Sequence, residues 1–449
     1  INEIPYDFTR KRLSVIINEN NEYIMITKGA LNKILPICSH VQLGEDIKRL
    51  DENALNNINE LYVKWSNLGM RVLGISKKNV ILKDSYDSAD ETGMIFAGFL
   101  LFMDPPKEDV KQTILDLAEN SVELRIITGD NKFVAMHIAE SVGIDATNVL
   151  AGSDLLKINN EALLNLVEKT TIFAEVDPNQ KERIILALKK RKHVVGYMGD
   201  GVNDVLALHA ADIGVSVDTA ADVAKESADF VLLEKSLKVL NRGIELGRTT
   251  FENTMKYILI TTSANFGNMF SMAGASLFMK FLPLLPKQIL LINFLTDFPA
   301  ITIASDDVDK DVLKYPRRWD IKFIRNFMFI FGFISSLFDY IAFGVLLLLF
   351  NADGRLFQSS WFMLSIITEL MVLLIMRTRK PFIKSKPAPL LLLSIVGMGL
   401  TTVFITYFPI GAIFDLEPIP LKILITLLGI ISLYILATEI GKYVFYNKQ

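Results

Sequence analysis

The sequence contains little cysteine and has a small net charge, and its first half lacks any hydrophobic run long enough to cross a bilayer. Cys38 is the single cysteine among 449 residues, so no intrachain disulfide can form, and its apolar neighbours predict a buried structural thiol. Lys and Arg total 47 against 50 Asp and Glu, a net charge of -3. This balance argues against the concentrated basic surface of a nucleic-acid-binding protein, so we expect no nucleic-acid partner.

The N-terminal residues INEIPYDF contain no basic segment followed by an apolar one, so they do not resemble a signal peptide. The chain also does not begin with Met, as expected of a fragment. Its length predicts two to four units of roughly 100–200 residues each. Hydrophobic residues make up 51% of the chain, while most charged residues lie in the first half. The composition therefore predicts a soluble half followed by a membrane half.

Residues 1–99 predict a mixed unit of strands and helices. The segment 14–28 has two β-rich runs around an Asn-rich turn, which is typical of a hairpin. Helical patterns follow at 30–40 and 52–67, and a strand pattern at 71–76. We interpret this region as part of an α+β domain.

Residues 100–245 alternate short apolar strands with amphipathic helices, which predicts a Rossmann-like α/β domain with a parallel sheet. The predicted strands are VELRIIT, TIFAEV, HVVGYMGD, DIGVSV and DFVLL. Ligands of such sheets lie at the carboxyl ends of the strands. Two polar clusters fall there, TGD at 128–130 and GDGVND at 199–204.

The GDGVND cluster places Asp200 and Asp204 directly after a strand, where glycines permit a sharp turn. Two carboxylates with Asn203 between them are hard oxygen ligands that suit Mg²⁺ beside a phosphoryl group. An ordinary Asp/Asn/Gly turn is the alternative. The helix and strand predicted after the cluster favour the metal site.

Two further segments suit an anion. Thr128, Gly129 and Asp130 precede a predicted helix, whose N-terminal N–H groups can face a phosphoryl group. In DPNQK, Pro178 begins a helix and Lys181 lies one turn inside it, where an ammonium can neutralise phosphoryl charge. Taken singly, TGD is a weak signal and Lys181 resembles a solvated surface lysine.

The second half contains about six apolar stretches, each near the ~20 residues that a bilayer-spanning helix needs. They lie at 257–278, 288–304, 323–350, 361–376, 390–408 and 421–443. The loops at 310–322 and 377–386 are rich in Lys and Arg, and the other loops are nearly free of both. Because basic loops stay in the cytoplasm, we expect 246–449 to be an all-α transmembrane bundle with the soluble domains on the cytoplasmic side.

Amides, a hydroxyl and carboxyls recur at helical spacing within these apolar stretches. Pro299, two residues after Asp297, can interrupt the helix and leave backbone carbonyls without their helical hydrogen bonds. The candidate ligands of a transported cation are Asn265, Asn268, Asn293, Thr296 and Asp297, with Glu369 as a further ligand or a proton site. Hydrogen bonding between helices is the alternative for the Asn pair, and helix capping for Asp297.

Depth in the membrane separates these acidic groups. An aspartate at mid-membrane costs about 2.5–3.5 kcal/mol, so we expect Asp297 to be functional. Asp339 and Glu439 lie nearer segment ends or in mixed surroundings, where snorkelling or pairing explains them. One carboxylate with amide and hydroxyl oxygens favours Mg²⁺, because Ca²⁺ usually takes more protein oxygens.

Seven short motifs then occur in a specific order. They are DFTRKR at 7–12, TKGA at 27–30, GMRVL at 69–73, MDPPK at 103–107, TGD, DPNQK and GDGVND. This set resembles the P-type ATPases, whose phosphorylation domain is of the haloacid-dehalogenase type, and the resemblance covers essentially the whole chain. It implies ATP and Mg²⁺ as cofactors.

The resemblance also implies roles for single residues. Phe8 would stack on adenine, and nucleotide would also contact Arg10, Lys28, Gly29 and Arg71, the last at the phosphates. Without the resemblance, Phe8 could equally be a core residue of a strand, and Lys28 and Arg71 ordinary surface charges. The transferred phosphoryl group would meet Thr128, Gly129, Asp130 and Lys181, while Asp200 and Asp204 serve Mg²⁺ and Asn203 and Asp204 order the site.

One departure from the family concerns its nucleophile, an Asp in an Asp-Lys-Thr-Gly-Thr segment that does not occur in this sequence. The family places it upstream of the nucleotide-binding domain. We therefore expect the partner of this chain to be the N-terminal half of the pump, with the actuator domain and first membrane helices. The chain alone should not form the aspartyl-phosphate.

The loops at 310–322 and 377–386 and the NFGN segment look like the magnesium-importing branch of the family, whereas NFLTD also resembles calcium pumps. The sequence therefore predicts ATP-driven Mg²⁺ import across a bacterial plasma membrane, with Ca²⁺ as the alternative ion. Two other classes stay open. One is a phosphatase-type domain fused to a membrane anchor, and the other a non-catalytic truncated protein that binds nucleotide.

Overall fold

The structure is a computed structural model that describes residues 2–7, 10–20, 22–103 and 105–447. The predicted adenine contact Phe8 lies outside the described residues. The chain divides into two compact units, Ile1–Asn241 and Arg242–Gln449. The finer boundary predicted inside the first unit, between residues 99 and 100, stays a prediction.

The first unit begins with a seven-stranded sheet of order β1-β2-β3-β6-β7-β4-β5. Its strands are β1 Asn2–Asp7, β2 Arg12–Glu19, β3 Glu22–Ala30, β4 Cys38–Leu43, β5 Asp46–Arg49, β6 Arg71–Val80 and β7 Met94–Phe102. All neighbouring strands are antiparallel except β4 and β7, which are parallel. The predicted hairpin is confirmed by β2 and β3, and the predicted strand at 71–76 by β6.

Two helices accompany this sheet, α1 Leu31–Ile34 and α2 Glu52–Asn67. The predicted bounds of α2 are confirmed, and the side chain of Asp51 caps it by accepting from the N–H of Ala54 at 2.8 Å. Apolar side chains pack into two small cores. The first contains Ile4, Ile16, Met25, Tyr86 and Met94, and the second Leu31, Ile34, Val41, Ile58 and Phe96.

The helix predicted at 30–40 is wrong beyond its first turns. After α1, residues Leu35–Ile37 form a 3₁₀ turn, and the chain then enters β4. Pro36 has no N–H to continue a helix, and β4 gains backbone hydrogen bonds on both sides from β5 and β7. Cys38 at the start of β4 is half-buried, and this burial raises the pKa of its thiol to about 11.

The rest of the first unit alternates short strands and helices, as predicted. Its strands are β8 Ile126–Ile127, β9 Val149–Ala151, β10 Ile172–Ala174, β11 Gly196–Met198, β12 Ile213–Val217 and β13 Phe230–Leu232. Its helices are α3 Val110–Glu119, α4 Lys132–Val142, α5 Gly152–Leu155, α6 Asn160–Leu166, α7 Pro178–Lys190, α8 Val205–Ala210 and α9 Asp222–Glu226.

Every strand pair in this region is parallel, which confirms the predicted pairing. The strands form two three-stranded sheets, of order β8-β10-β9 and β11-β12-β13, where a single sheet was expected. Within the described residues, β8 and β11 are edge strands of their sheets. Phe173, Ile184 and Leu208 are fully or almost fully buried in the core that packs α7 and α8 onto these strands.

The second unit is helical. Its helices are α10 Leu237–Phe278, which starts in the first unit, α11 Pro286–Thr302, α12 Lys310–Leu313, α13 Ile321–Gly344, α14 Gly354–Met376, α15 Pro389–Tyr407 and α16 Leu421–Asn447. A π-helical segment, Val345–Leu349, continues α13. The most deeply buried helix is α14, whose Phe357, Trp361 and Phe362 lie in the core.

Among the residues that the structure describes, five segments are long and apolar enough to cross a membrane, judged by length and composition: Pro286–Ser305, Ile321–Leu349, Gly354–Met376, Pro389–Tyr407 and Leu421–Asn447. Six were predicted. The remaining stretch, 257–278, is helical but forms the end of the 42-residue helix α10 and is not among the five. Its run SANFGNMFS carries too many amides and hydroxyls to pass as a purely apolar segment.

Candidate functional sites

The carboxylate of Asp204 lies at the centre of a buried hydrogen-bond network. Its Oδ1 accepts from the Lys181 ammonium and the Tyr197 hydroxyl, both at 2.7 Å, and its Oδ2 accepts from the Gly201 N–H at 3.1 Å. Burial acts to raise the pKa of Asp204, but the hydrogen bonds from Lys181 and Tyr197 outweigh it and hold the pKa below its ordinary value. Asp204 is therefore an anion fixed in position by donors of this chain.

Helix α7 positions Lys181. Asp177 caps the helix by accepting from the N–H of Gln180 at 2.9 Å, and Pro178 occupies the first helical position. Lys181 then lies one turn inside, with a side chain only 11% exposed. This burial could not be predicted from the sequence, because a lysine early in a helix is usually solvated. Tyr197, the second donor to Asp204, was not singled out from the sequence either.

The turn after β11 holds Asp200 and depends on a close approach at Gly199. A Cβ on Gly199 would lie 2.5 Å from the Cβ of Asp204, so only glycine fits there. The Asp200 carboxylate is more than half exposed, and its Oδ2 accepts a hydrogen bond from the Lys235 ammonium at 2.8 Å. Asn203 is exposed on the same turn. Lys235 was not predicted, since it lies 35 residues further along the chain.

The TGD turn follows β8 and is closed by its own side chains. The N–H of Asp130 donates to Thr128 Oγ1 at 3.0 Å, and that hydroxyl donates to Asp130 Oδ2 at 3.2 Å. The N–H groups of Val176 and Glu175 donate to the carbonyls of Thr128 and Asp130, at 3.1 and 2.9 Å. The TGD turn, with Gly129 exposed, is therefore tied to the segment that leads into α7 and Lys181.

The acidic groups of this site differ in their fitness for Mg²⁺. Among the described residues, no group of three or more His, Cys, Asp or Glu side chains gathers into a metal site. Mg²⁺ is usually held by one or two carboxylates together with phosphate oxygens and water. Asp200 suits this role because it is exposed and only its Oδ2 has a partner within the described residues. Asp204 suits it less, because both of its oxygens already accept hydrogen bonds.

The structure brings one predicted nucleotide residue next to Asp130 of the TGD turn. Arg71, at the start of β6, lies 3.8 Å from Asp130 Oδ1 and is 68% exposed. Lys28 is exposed on β3. Gly29 beside it is buried, and a Cβ there would lie 2.5 Å from the carbonyl oxygen of Lys11, so glycine permits this close approach.

Arg10 is held by a buried glutamate that sequence reasoning missed. Glu91 is fully buried and accepts from Arg10 Nη1 at 2.8 Å, Arg12 Nε at 2.7 Å and Ser14 Oγ at 2.7 Å. Burial acts to raise the pKa of Glu91, but hydrogen bonds from Arg12, Ser14 and Arg10 hold the pKa below its ordinary value. The Arg10 guanidinium is thus engaged inside the domain.

In the second unit, a small cavity surrounds Glu369. Its volume of about 20 Å³ suits one water-sized occupant, which needs roughly 10–15 Å³. Glu369 Oε2 is buried without a hydrogen-bond partner within the described residues. The polar residues that line the cavity with Glu369 are Ser263, Asn268, Ser335, Ser365, Thr368 and Tyr434. Ser365 lies one helical turn before Glu369, a spacing that could have marked it in the sequence.

The predicted ion ligands divide between this cavity and an exposed helix surface. Asn268 and Thr296 are near enough to Glu369 for their polar groups to act on its carboxyl, and the charge of Asp297 acts on it too. Asn265, Asn293 and Asp297 are exposed in this chain. The Thr296 hydroxyl is buried and donates to the carbonyl of Ile292 at 3.1 Å.

Two further membrane-segment acids have defined partners. Glu439 Oε1 accepts from Lys442 Nζ at 3.1 Å and from the Phe382 N–H at 2.9 Å, which confirms pairing for this residue. Asp339 is only 5% exposed, so snorkelling is wrong for it. Its hydrogen bonds come from the neutral donors Ser271 and Trp361.

Comparison with known proteins shows the family to which this chain belongs. Two family models match the chain: "P-type ATPase, cytoplasmic domain N" over residues 1–109, and "Cation transporting ATPase, C-terminus" over residues 281–444. The "Magnesium-transporting ATPase, P-type 1" proteins of Escherichia coli (strain K12) and Salmonella typhimurium (strain LT2) are each 40% identical over the whole of this chain. They align over 51% and 50% of their own lengths.

A more distant relative is the "Calcium-transporting ATPase 1" of Bacillus cereus, which is 33% identical over 80% of this chain and 41% of its own length. The chain thus spans about half the length of the curated relatives it matches. Family models match both ends of the chain, and the identity to the relatives extends along its whole length. The helices that could cross a bilayer are consistent with membership of a membrane-protein family. The chain therefore belongs to the P-type ATPases, a family of multi-pass membrane proteins.

Proposed function

We propose that this chain is the C-terminal half of an ATP-driven pump that moves Mg²⁺ into the cytoplasm. In this proposal, the first unit contains part of the nucleotide-binding domain and a haloacid-dehalogenase-like phosphorylation domain. The transient aspartyl-phosphate forms on an aspartate outside this sequence. The observation that carries the proposal is the cavity at Glu369. There, a carboxyl oxygen with no hydrogen-bond partner in the described part of the chain lies near amide and hydroxyl groups among apolar helices.

The phosphorylation site assigns distinct tasks to its residues. Lys181 brings a positive charge to the phosphoryl group, and Thr128, Gly129 and Asp130 contact that group through hydroxyl and backbone N–H groups. Asp200 holds Mg²⁺, which when bound neutralises phosphoryl charge. Asp204 orients the Lys181 ammonium, with which it shares a 2.7 Å hydrogen bond, and Asn203 completes the turn.

ATP is proposed to bind at the seven-stranded sheet. Phe8 stacks on adenine, Lys28 and Gly29 line the pocket, and Arg71 reaches the phosphates. The support for Arg71 is its exposure and its place 3.8 Å from Asp130, next to the proposed phosphoryl site. Arg10 is proposed to support this site indirectly, because Glu91 holds its guanidinium.

The transported ion is proposed to bind along α10, α11 and α14. An isolated charged carboxyl inside a membrane is costly and is retained for function. Glu369 lies in the small cavity, and the charge of Asp297 acts on it. The proposed ligands are Asn265, Asn268, Asn293, Thr296, Asp297 and Glu369. The exposed members of this set would be covered by membrane helices of the N-terminal half.

Mg²⁺ is favoured over Ca²⁺ on two grounds. The proposed ligands include only two carboxylates, Asp297 and Glu369, and Mg²⁺ is usually held by one or two carboxylates while it keeps part of its water shell. The relatives that match the whole chain are named as magnesium transporters, whereas the Bacillus cereus calcium transporter matches 80% of it. Ca²⁺ remains the second candidate on the strength of that relative.

The remaining partners follow from the same proposal. The helices are proposed to lie in a lipid bilayer, a bacterial plasma membrane, and the first unit and the basic loops are proposed to be cytoplasmic. The N-terminal half supplies the nucleophile. The edge strands β8 and β11 offer backbone groups with which a further strand can pair.

Two other classes make different predictions. A phosphatase-type domain on an unrelated anchor would not need carboxyl and amide groups in its membrane helices, so the cluster at Glu369 speaks against it. A non-catalytic nucleotide-binding protein would show no turnover even when joined to the upstream half. Acid-stable phosphoprotein formation with and without that half separates this class from a pump.

The test uses the full-length protein in proteoliposomes with an entrapped Mg²⁺ indicator. ATP added outside drives molecules whose cytoplasmic domains face outward, and the lumen should lose Mg²⁺. We expect Asp297→Asn and Glu369→Gln to abolish both this loss and the ion-stimulated ATPase. Transport is read separately from hydrolysis because ATP itself requires Mg²⁺. Parallel vesicles loaded with Ca²⁺ decide between the two ions.

A matched control is Asp311→Asn, since Asp311 is exposed and forms a surface ion pair with Lys380. It should transport normally. Full transport by Asp297→Asn would remove this residue from the ion site. Absence of ATP-dependent movement of either ion by the wild-type protein would contradict the proposed function.

A further inference from the structure

Asp339 joins three helices of the second unit through its carboxyl group. It lies on α13, and its Oδ2 accepts from the hydroxyl of Ser271 on α10 at 2.6 Å. Its Oδ1 accepts from Nε1 of Trp361 on α14 at 3.1 Å. Asp339 is 5% exposed and Trp361 1%, so solvent does not share in these hydrogen bonds. The two partner helices also carry Asn268 and Glu369.

The carboxyl of Asp339 is exposed to two opposed influences. Burial among apolar helices favours its neutral form, while the two donated hydrogen bonds favour its anion. No lysine, arginine or histidine in the described part of the chain forms an ion pair with it. A nearby change in charge can therefore decide whether this group carries a proton.

Ser271 can serve both forms of the acid. An indole N–H only donates, so Trp361 always requires Oδ1 as an acceptor. A hydroxyl both donates and accepts, so Ser271 can donate to the carboxylate or accept from a proton on Oδ2. The gain or loss of one proton thus requires only a rotation of the Ser271 hydroxyl.

The ionisable groups around Asp339 come from three helices. Its charge acts on Glu369 of α14, on Tyr434 of α16 and on Tyr340 of its own helix. The tyrosines are neutral donors near physiological pH, so the ionic neighbour is Glu369 and whatever cation lies beside it. Ser271 is one helical turn beyond Asn268, and Trp361 roughly 12 Å along α14 from Glu369.

We propose that Asp339 is a proton-binding site separate from the cation ligands, and that a divalent cation bound beside Glu369 releases its proton. The inference rests on the proposed function, because it requires a cation at Glu369. The cation's positive charge stabilises the Asp339 carboxylate, and the proton leaves the carboxylic acid for bulk water. When the cation departs, one proton returns. By linkage, protonation of Asp339 weakens cation binding by the same factor.

The experiment measures cation binding and proton release on the full-length protein without ATP, using Mg²⁺ and, separately, Ca²⁺. Proton release is read with an indicator dye in weakly buffered solution, and infrared difference spectra report the carbonyl stretch of a protonated carboxyl. We expect wild-type protein to release one proton more than Asp339→Asn for each cation bound. Below the protonation midpoint of Asp339, the dissociation constant of the wild-type protein for the cation should rise on acidification. This rise should be steeper than in Asp339→Asn, by about tenfold more per pH unit.

Asp339→Asn resembles the protonated acid, because an amide accepts from Trp361 and donates to Ser271. It should therefore fold and bind the cation. Trp361→Phe keeps the acid but removes one donor to its anion, so its midpoint should move to higher pH. Equal proton release and equal pH slopes in wild type and Asp339→Asn, with cation binding intact, would overturn the inference. If the wild-type protein binds neither Mg²⁺ nor Ca²⁺, the proposed function would be overturned instead.

Discussion

The ammonium of Lys181 and the carboxylate of Asp204 lie 2.7 Å apart, and their side chains are only 11% and 12% exposed. The pair links α7 to the turn after β11, which belong to different strand–helix segments of the first unit. Removing one member of a buried pair leaves an uncompensated charge and costs about 3–5 kcal/mol. The pair therefore holds the residues of the proposed phosphorylation site in position, besides any role toward phosphate.

The first prediction is that Lys181→Met loosens the turn around Asp204. Amides of residues 196–208 should exchange with deuterium on the order of a hundredfold faster, because local opening becomes easier by about 3 kcal/mol. Exchange measured by mass spectrometry on the full chain reports this region separately. Lys190→Met is the control, since Lys190 is exposed on the same helix. Unchanged exchange in Lys181→Met would show that Tyr197 and Gly201 suffice to hold Asp204.

The second prediction concerns pH. The pKa of Asp204 lies below its ordinary value, which is about 3.9 for an aspartate. Its contribution to stability is therefore complete above that value and is lost as the pH falls through the lowered pKa of the folded protein. We expect protection of residues 196–208, corrected for intrinsic exchange, to fall on acidification below about pH 4.

Asp204→Asn removes the titrating group, so protection in this variant should be lower at neutral pH and flatter in acid. Asp154→Asn provides the comparison, because Asp154 is exposed in the same unit. It should follow the wild-type curve. Parallel curves for wild type and Asp204→Asn would show that other groups govern the acid sensitivity of this region.

The sequence predicted the elements with strong local signals. Helix α2, from its helical pattern, and the β2–β3 hairpin, from its Asn-rich turn, both appear as expected. The helix at 30–40 failed because β4 pairs with two strands distant in sequence, and tertiary pairing outweighs local propensity. Local patterns also do not determine which strands pair, and the strands form two small parallel sheets where one was predicted.

The candidate sites divide along similar lines. Motif residues such as Lys181 and Asp204 could be named from spacing, but their mutual contact could not. The partners Tyr197, Lys235 and Glu91 carry no local signal, because each is defined by a hydrogen bond or ion pair formed on folding. In the membrane helices, polar residues within apolar runs were visible at once. Which of them share a cavity depends on helix rotation, which periodicity alone does not fix.

The third prediction addresses the anchoring of α14, the helix that carries Glu369. Lys442 on α16 is 1% exposed and its ammonium donates to the carbonyls of Ile375 and Lys380, at 2.8 and 2.9 Å. Lys442→Met leaves these carbonyls without their donor, which should cost about 3 kcal/mol. We expect the thermal inactivation temperature of the detergent-solubilised full-length protein to fall by several degrees.

Lys422→Met is the matched control on the same helix, since Lys422 is exposed. Its inactivation temperature should stay within about one degree of the wild type, as expected for a surface substitution. A Lys442→Met protein as stable as this control would show that water replaces the ammonium at the end of α14.

The last prediction concerns Lys235, whose ammonium lies 2.8 Å from Asp200 Oδ2, the carboxylate proposed to hold Mg²⁺. Both side chains are more than half exposed, so the pair contributes at most about 1 kcal/mol. A cation at Asp200 must compete with this ammonium. Lys235→Met should therefore tighten metal binding by up to about fivefold and weaken its dependence on salt.

Metal binding is best followed with Mn²⁺ as a paramagnetic substitute in the full-length protein, because this readout does not require turnover. Lys225→Met is the control, since Lys225 forms a comparable surface pair with Asp222 outside the GDGVND turn. Asp200→Asn should remove the binding that Lys235→Met tightens, whereas an affinity unaltered by Lys235→Met would separate the ion pair from the metal site. If Lys235→Met tightens metal binding and Asp200→Asn removes it, Lys235 neutralises Asp200 until the metal binds. The GDGVND turn then needs no rearrangement to receive the metal.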